Sequence, residues 1–123
     1  MRIWTPLVAA LALTGTAAGP ALAEPGAHLC SGIGEDAAAE AAAFPHRLKI
    51  VYAEKGGSYL GGIETVISAD GKPVIEANCA GPWLLGDLAP GRYTITSTYQ
   101  GATQTGQVTI GAGSGATERV IRF

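Results

Sequence analysis

The side chains best able to do chemistry in this 123-residue chain are two cysteines, two histidines and a scatter of serines, and their spacing supports little. Cys30 and Cys79 stand far apart with no Cys-x-x-Cys pattern, so nothing local lowers a thiol pKa and a redox-active pair is not expected. His28 and His46 lie eighteen residues apart without a His-x-x-Glu or comparable ligand spacing, which argues against a metal site and leaves both for solvent near the ends of a helix. Ser31, Ser58, Ser68, Ser97 and Ser114 are available as nucleophiles, yet none sits in a Gly-x-Ser-x-Gly elbow. The run Gly56-Gly57-Ser58-Tyr59-Leu60-Gly61-Gly62 lacks the Lys-Ser/Thr of a phosphate loop and leads toward a strand, so it reads as an inter-strand loop. The expectation is a protein with no catalytic residues, no metal and no cofactor.

Aromatic side chains offer binding rather than catalysis. Tyr52, Tyr93 and Tyr99 share parity with aliphatic neighbours and are expected in the core. Tyr59, between two glycine pairs, is the best exposed candidate, with Trp83 as a second ring for stacking on a sugar or anchoring a partner. Trp83 is also close enough to Cys79 in sequence to cover a disulfide there.

The beginning of the chain specifies where this chemistry would operate. Arg2 is followed by an apolar run from Leu7 to Leu13, small residues and Ala21-Leu22-Ala23, the three-part order of a cleavable secretory signal over residues 1–23. A retained membrane anchor is the competing reading; its Thr, Gly and Pro content is high for a stable span. The mature chain is expected to be periplasmic or secreted, without membrane insertion after signal cleavage. There Cys30 and Cys79 suit a disulfide, the alternative being two separate buried thiols. With Arg2 removed, seven basic groups face ten acidic ones, dispersed along the chain, so no basic patch points to nucleic acid.

The elements that must position these residues divide the mature chain in two. Residues 24–47 form a lead-in in which Glu35 to Ala43, rich in alanine and acidic at its start, predicts a short helix stopped by Pro45. Residues 48–123 alternate short β runs with turn residues, the pattern of an all-β sandwich. Seven strands are predicted, over 48–53, 63–69, 73–78, 83–85, 92–99, 103–110 and 117–123, with hairpins at Asp70-Gly71 and Gln100-Gly101. In the fifth, Tyr93, Ile95, Ser97 and Tyr99 face one way and Arg92, Thr94, Thr96 and Thr98 the other; Val108 and Ile110 face inward from the sixth.

Between the fourth and fifth strands lies Leu88-Ala89-Pro90-Gly91-Arg92-Tyr93-Thr94-Ile95. Pro90 presets φ for the first central position of a turn, Gly91 suits the positive φ of the second, and Tyr93 then enters the core. This segment resembles the Leu-x-Pro-Gly-x-Tyr hallmark of prealbumin-like β-sandwiches, the group that includes carboxypeptidase regulatory-like, Cna-B-like and transthyretin-like domains. Asp70-Gly71-Lys72 and Gln107-Val108-Thr109-Ile110 with its glycine-rich loop resemble other parts of the same pattern. The likeness is strongest to stand-alone exported bacterial members. It implies a seven-stranded antiparallel Greek-key sandwich with a short N-terminal helix. An internal isopeptide bond of the Cna-B kind is not expected, because Lys49 has no Asn partner in the last strand and Asn78 is the only Asn. The function these readings imply is a non-catalytic exported module that binds a protein or cell-envelope component at a face or edge of a sheet, with a carbohydrate-binding module as the alternative.

Overall fold

A computed structural model describes residues 26–113 and 115–123, so the signal segment 1–23 and Ser114 lie outside the described residues. Eight strands and one helix follow in the order β1 (Ala27–Ser31), α1 (Ala37–Ala43), β2 (Leu48–Ala53), β3 (Ile63–Ala69), β4 (Lys72–Cys79), β5 (Trp83–Asp87), β6 (Gly91–Tyr99), β7 (Ala102–Ile110) and β8 (Thr117–Arg122). They form two four-stranded sheets, ordered β1-β5-β2-β8 and β4-β3-β6-β7. The expected seven antiparallel strands are corrected twice. The lead-in contributes β1, and β8 runs parallel to β2, with Leu48 opposite Thr117 and Tyr52 opposite Ile121.

Register explains which residues the sheets bury. On the first sheet Cys30, Leu84 and Ile50 fall in one inward row, with Leu48, Tyr52 and Ile121 in neighbouring ones. Ile63, Ile67, Ile75, Tyr93, Ile95, Val108 and Ile110 face them from the second sheet, and together these form the core. The predicted alternation of β6 holds, down to Ser97, which is buried although polar. Both predicted hairpins form. Asp70 and Gly71 have φ of 52° and 79°, and Gln100 and Gly101 have 48° and 83°, the left-handed pair of a two-residue type I′ turn.

The Pro90-Gly91 segment differs from a tight turn. Gly91 has a φ of 155°, far from the value near +80° of a type II turn. The reason is that the chain here crosses from the first sheet to the second instead of reversing within one. Leu88 is buried at this crossing, and the Tyr93 hydroxyl donates to the Ala89 carbonyl at 2.6 Å, tying β6 back onto the bend.

α1 is seven residues long and begins two residues later than its composition predicts. A helix this short is not stable alone. Ala37 and Ala41, four apart and so on one face, are its buried residues, and the Ser31 hydroxyl bonds the Glu40 carboxylate at 3.1 Å, holding it to β1.

Candidate functional site

The disulfide is present: Cys30 on β1 is bonded to Cys79 on β4, and it joins the two sheets along one side of the sandwich. It ties the lead-in, through β1, to the end of β4. Trp83 does not cover it. Cys30 is paired with Leu84 and Ser31 with Trp83, and neighbours along a strand point to opposite faces, so the tryptophan lies on the outer face of the first sheet.

On that outer face the register brings Tyr59 and Trp83 near each other. Tyr59 bridges to Ala53, two residues along β2 from Val51, the partner of Trp83. Tyr59 is 67% exposed, as expected of a loop aromatic. Trp83 is half-buried, and the Lys49 ammonium lies 4.0 Å from its ring centroid, so that face of the ring is occupied by a cation. A side chain at Gly32 would also come within 3.1 Å of the ring. A stacking platform on this face would thus rest mainly on Tyr59. Lys49 points out from the first sheet and Asn78 out from the second, which separates them by the whole sandwich and rules out an isopeptide bond between them.

The histidines take local roles. His28 lies on β1 rather than at a helix end, with Nδ1 at 3.0 Å from the Gly26 carbonyl; His46 follows α1, half-buried, with Nδ1 at 2.6 Å from the Phe44 carbonyl. Among the described residues no three His, Cys, Asp or Glu side chains cluster as metal ligands would.

A buried polar chain crosses the middle of the sandwich. The Tyr52 hydroxyl is 2.5 Å from Thr65 Oγ1, which is 2.9 Å from Ser97 Oγ. All three are essentially inaccessible. Burial pushes the Tyr52 phenol up to about 12, against the smaller opposing effect of the Thr65 and Ser97 hydroxyls, and burial raises the Tyr93 phenol too. Such acids stay protonated at neutral pH, so the chain is a structural tie and not a general base.

The feature best suited to binding lies on the side opposite the disulfide, where β7 and β8 are the edge strands of the two sheets. Gly106 occupies an inward position on β7, opposite Ile95. Lacking a side chain there, it leaves a cleft of about 240 Å³ between the sheets, lined also by Ile121, Arg119 and Arg122. A Cβ added at Gly106 would meet nothing within 4 Å.

The edge itself is equally distinctive. In the two-residue hairpin Tyr99 and Ala102 form the closing pair, so Gln104, Gly106 and Val108 bond to β6. Thr103, Thr105, Gln107 and Thr109 turn their backbone groups the other way. The Arg119 guanidinium donates to the Gln107 carbonyl, which interrupts this row, and among the described residues nothing bonds the outward backbone of Thr103 or Thr105.

The other three edges carry the features that discourage pairing with another chain. β1 is only five residues long and is held by the disulfide; β4 has Lys72, Pro73, Glu76 and a register shift opposite Pro73; β8 has Glu118, Arg119 and Arg122. β7 spans nine residues without a charge or a proline, and Ala102 to Gln107 are exposed. The sequence carries one sign of this site: an inward parity shared by Gly106, Val108 and Ile110 puts a glycine where a core residue belongs.

No protein-family model matches the chain, and a search of curated proteins finds no match either.

Proposed function

We propose that the chain is a non-catalytic exported module that binds a protein, or a protein component of the cell envelope, by accepting an extended segment along the free edge of β7. The observation that carries this reading is the open backbone of Thr103 and Thr105 on a long uncharged strand whose three counterpart edges are guarded. An added strand gains affinity from main-chain hydrogen bonds and specificity from the side chains it presents to either face. The signal-like residues 1–23 and the Cys30–Cys79 disulfide support a periplasmic or secreted location. No described helix is long and apolar enough to cross a membrane. The two-sheet architecture is compatible with the prealbumin-like resemblance, which would make the chain a stand-alone relative of carboxypeptidase regulatory-like domains.

The test is capture from envelope extract by the exported protein, comparing wild type with Thr105→Pro and Thr105→Lys. Proline removes an N–H that faces away from β6 and lysine adds an edge charge, so neither breaks the β6–β7 ladder. A partner retained by wild type and lost by both variants is expected. Equal capture by all three proteins refutes the assignment to this edge.

A further inference from the structure

We propose that the segment accepted at β7 presents an apolar side chain opposite Gly106 and a carboxylate two residues away on the same face, the first seated in the cleft and the second on the Arg119 guanidinium. This deepens the strand-addition reading and rests on it.

The apolar requirement comes from the shape and lining of the cleft. A residue paired with Gly106 from outside shares its inward face, because directly opposed residues on neighbouring strands point the same way. Its side chain would enter the space that Gly106 leaves empty, over Ile95, which is 3% exposed, and beside Ile121, which packs against the core. The volume of about 240 Å³ has room for one side chain of leucine or phenylalanine size. Ile95 is already buried, so the area removed from water is that of the incoming side chain and of the half-buried Ile121.

The acidic requirement comes from charge. Arg119 and Arg122 line the cleft and no carboxylate does. Arg119 faces inward from β8, since its register partner Ile50 is a core residue, and one of its nitrogens donates to the Gln107 carbonyl. A guanidinium has five N–H donors, so donors remain for an incoming oxygen acceptor. Gln107 is the chain neighbour of Gly106, so this cation stands next to the anchor position along the strand. Strand periodicity then sets the spacing: a side chain two residues from the anchor returns to the same face. The predicted recognition element is an extended segment with an apolar residue and an Asp or Glu at i and i+2.

A phage-displayed library of random ten-residue segments, selected on protein purified after export of the full chain, tests this directly. Recovered segments are expected to share an apolar residue two positions from Asp or Glu. A capped synthetic peptide of one such sequence is expected to bind Gly106→Val at least about tenfold more weakly, because the valine fills the cleft. Against Arg119→Gln, the Glu-containing peptide and its Gln counterpart are expected to bind alike. Near-UV circular dichroism of each variant checks that its fold is retained. Segments that need Thr105, by its proline variant, but show no apolar-x-acidic pattern and ignore Gly106→Val overturn this inference and leave strand addition standing. Recovery of no segment, or of segments indifferent to Thr105→Pro, overturns both.

Discussion

Gly86 on β5 and Gly106 on β7 both face the space between the sheets, and the sandwich treats them differently. A Cβ on Gly86 would lie 3.1 Å from the Ile75 δ-methyl and under 4 Å from Leu88, so neighbours already fill its place. Gly106 meets nothing. The first glycine belongs to the side closed by the Cys30–Cys79 bond and by Gly26 approaching Val74; the second belongs to the side where, among the described residues, the Arg119 hydrogen bond to Gln107 is the one that spans β7 and β8. One side is built for stability. The other keeps an apolar floor and an unpaired edge together, the combination on which the strand-addition proposal rests.

The largest way to break the comparison is to open the closed side. Cys30 and Cys79 are 49 positions apart, and removing a crosslink over a loop of about 50 residues costs about 4 kcal/mol in the chain-entropy model. A domain of this size has a total stability of only about 5–15 kcal/mol. The Cys30→Ala/Cys79→Ala double variant is expected to lose about that much in urea unfolding. A loss below about 1 kcal/mol would show that the closed side holds without its covalent link.

That side also shows why some of the fold was legible and some was not. β3, β4, β6 and β7 are readable because they alternate and because Asp70-Gly71 and Gln100-Gly101 demand left-handed turns. β1 is not: Ala27-His28-Leu29-Cys30-Ser31 lacks the β-branched residues that favour a strand, and what makes it one is pairing with β5 and the distant Cys79. The parallel pairing of β2 with β8 joins residues more than sixty positions apart and has no local signature. Trp83 was misplaced for another reason. Leu84 and Leu85 are both fully buried, since the sheet is covered on its outer face as well, so this stretch has no alternation from which to read which way the tryptophan points. The candidate site was half legible. Gly106 breaks an inward series in the sequence, but only the three-dimensional surroundings, in which a Cβ there meets nothing within 4 Å, show that nothing fills the gap.

The two glycines sharpen the comparison at an intermediate scale. Gly86→Val must displace Ile75, which is 2% exposed, and overpacking of that kind costs about 1–3 kcal/mol. Gly106→Val enters open space on a strand, where a β-branched residue replaces the most flexible one, and is expected to be neutral or to stabilise by up to about 1 kcal/mol. Chemical denaturation of the pair measures the difference. Equal losses would mean that the cleft is not open in solution.

The smallest expected effect lies on the strands between the two sides, where Tyr52 bonds to Thr65 and Thr65 to Ser97. Tyr52→Phe removes one buried hydroxyl and leaves Thr65 and Ser97 bonded to each other, so its cost near neutral pH is about 1 kcal/mol. The pH dependence carries more information than this cost. The Tyr52 phenol, pushed up to about 12 from an ordinary value of 10, holds its proton more tightly folded than unfolded. Its contribution is therefore complete below pH 10 and is lost as pH rises toward 12, because the unfolded chain releases the proton first. The stability advantage of wild type over Tyr52→Phe is expected to shrink across that interval and then reverse, by up to about 1.4 kcal/mol per pH unit. Every other ionisable group is common to both proteins and cancels to first order in the difference. A difference that stays flat from pH 9 to 12 would mean that water reaches the phenol. The middle of the sandwich would then be open as well, and the division between a closed side and an open one would no longer hold.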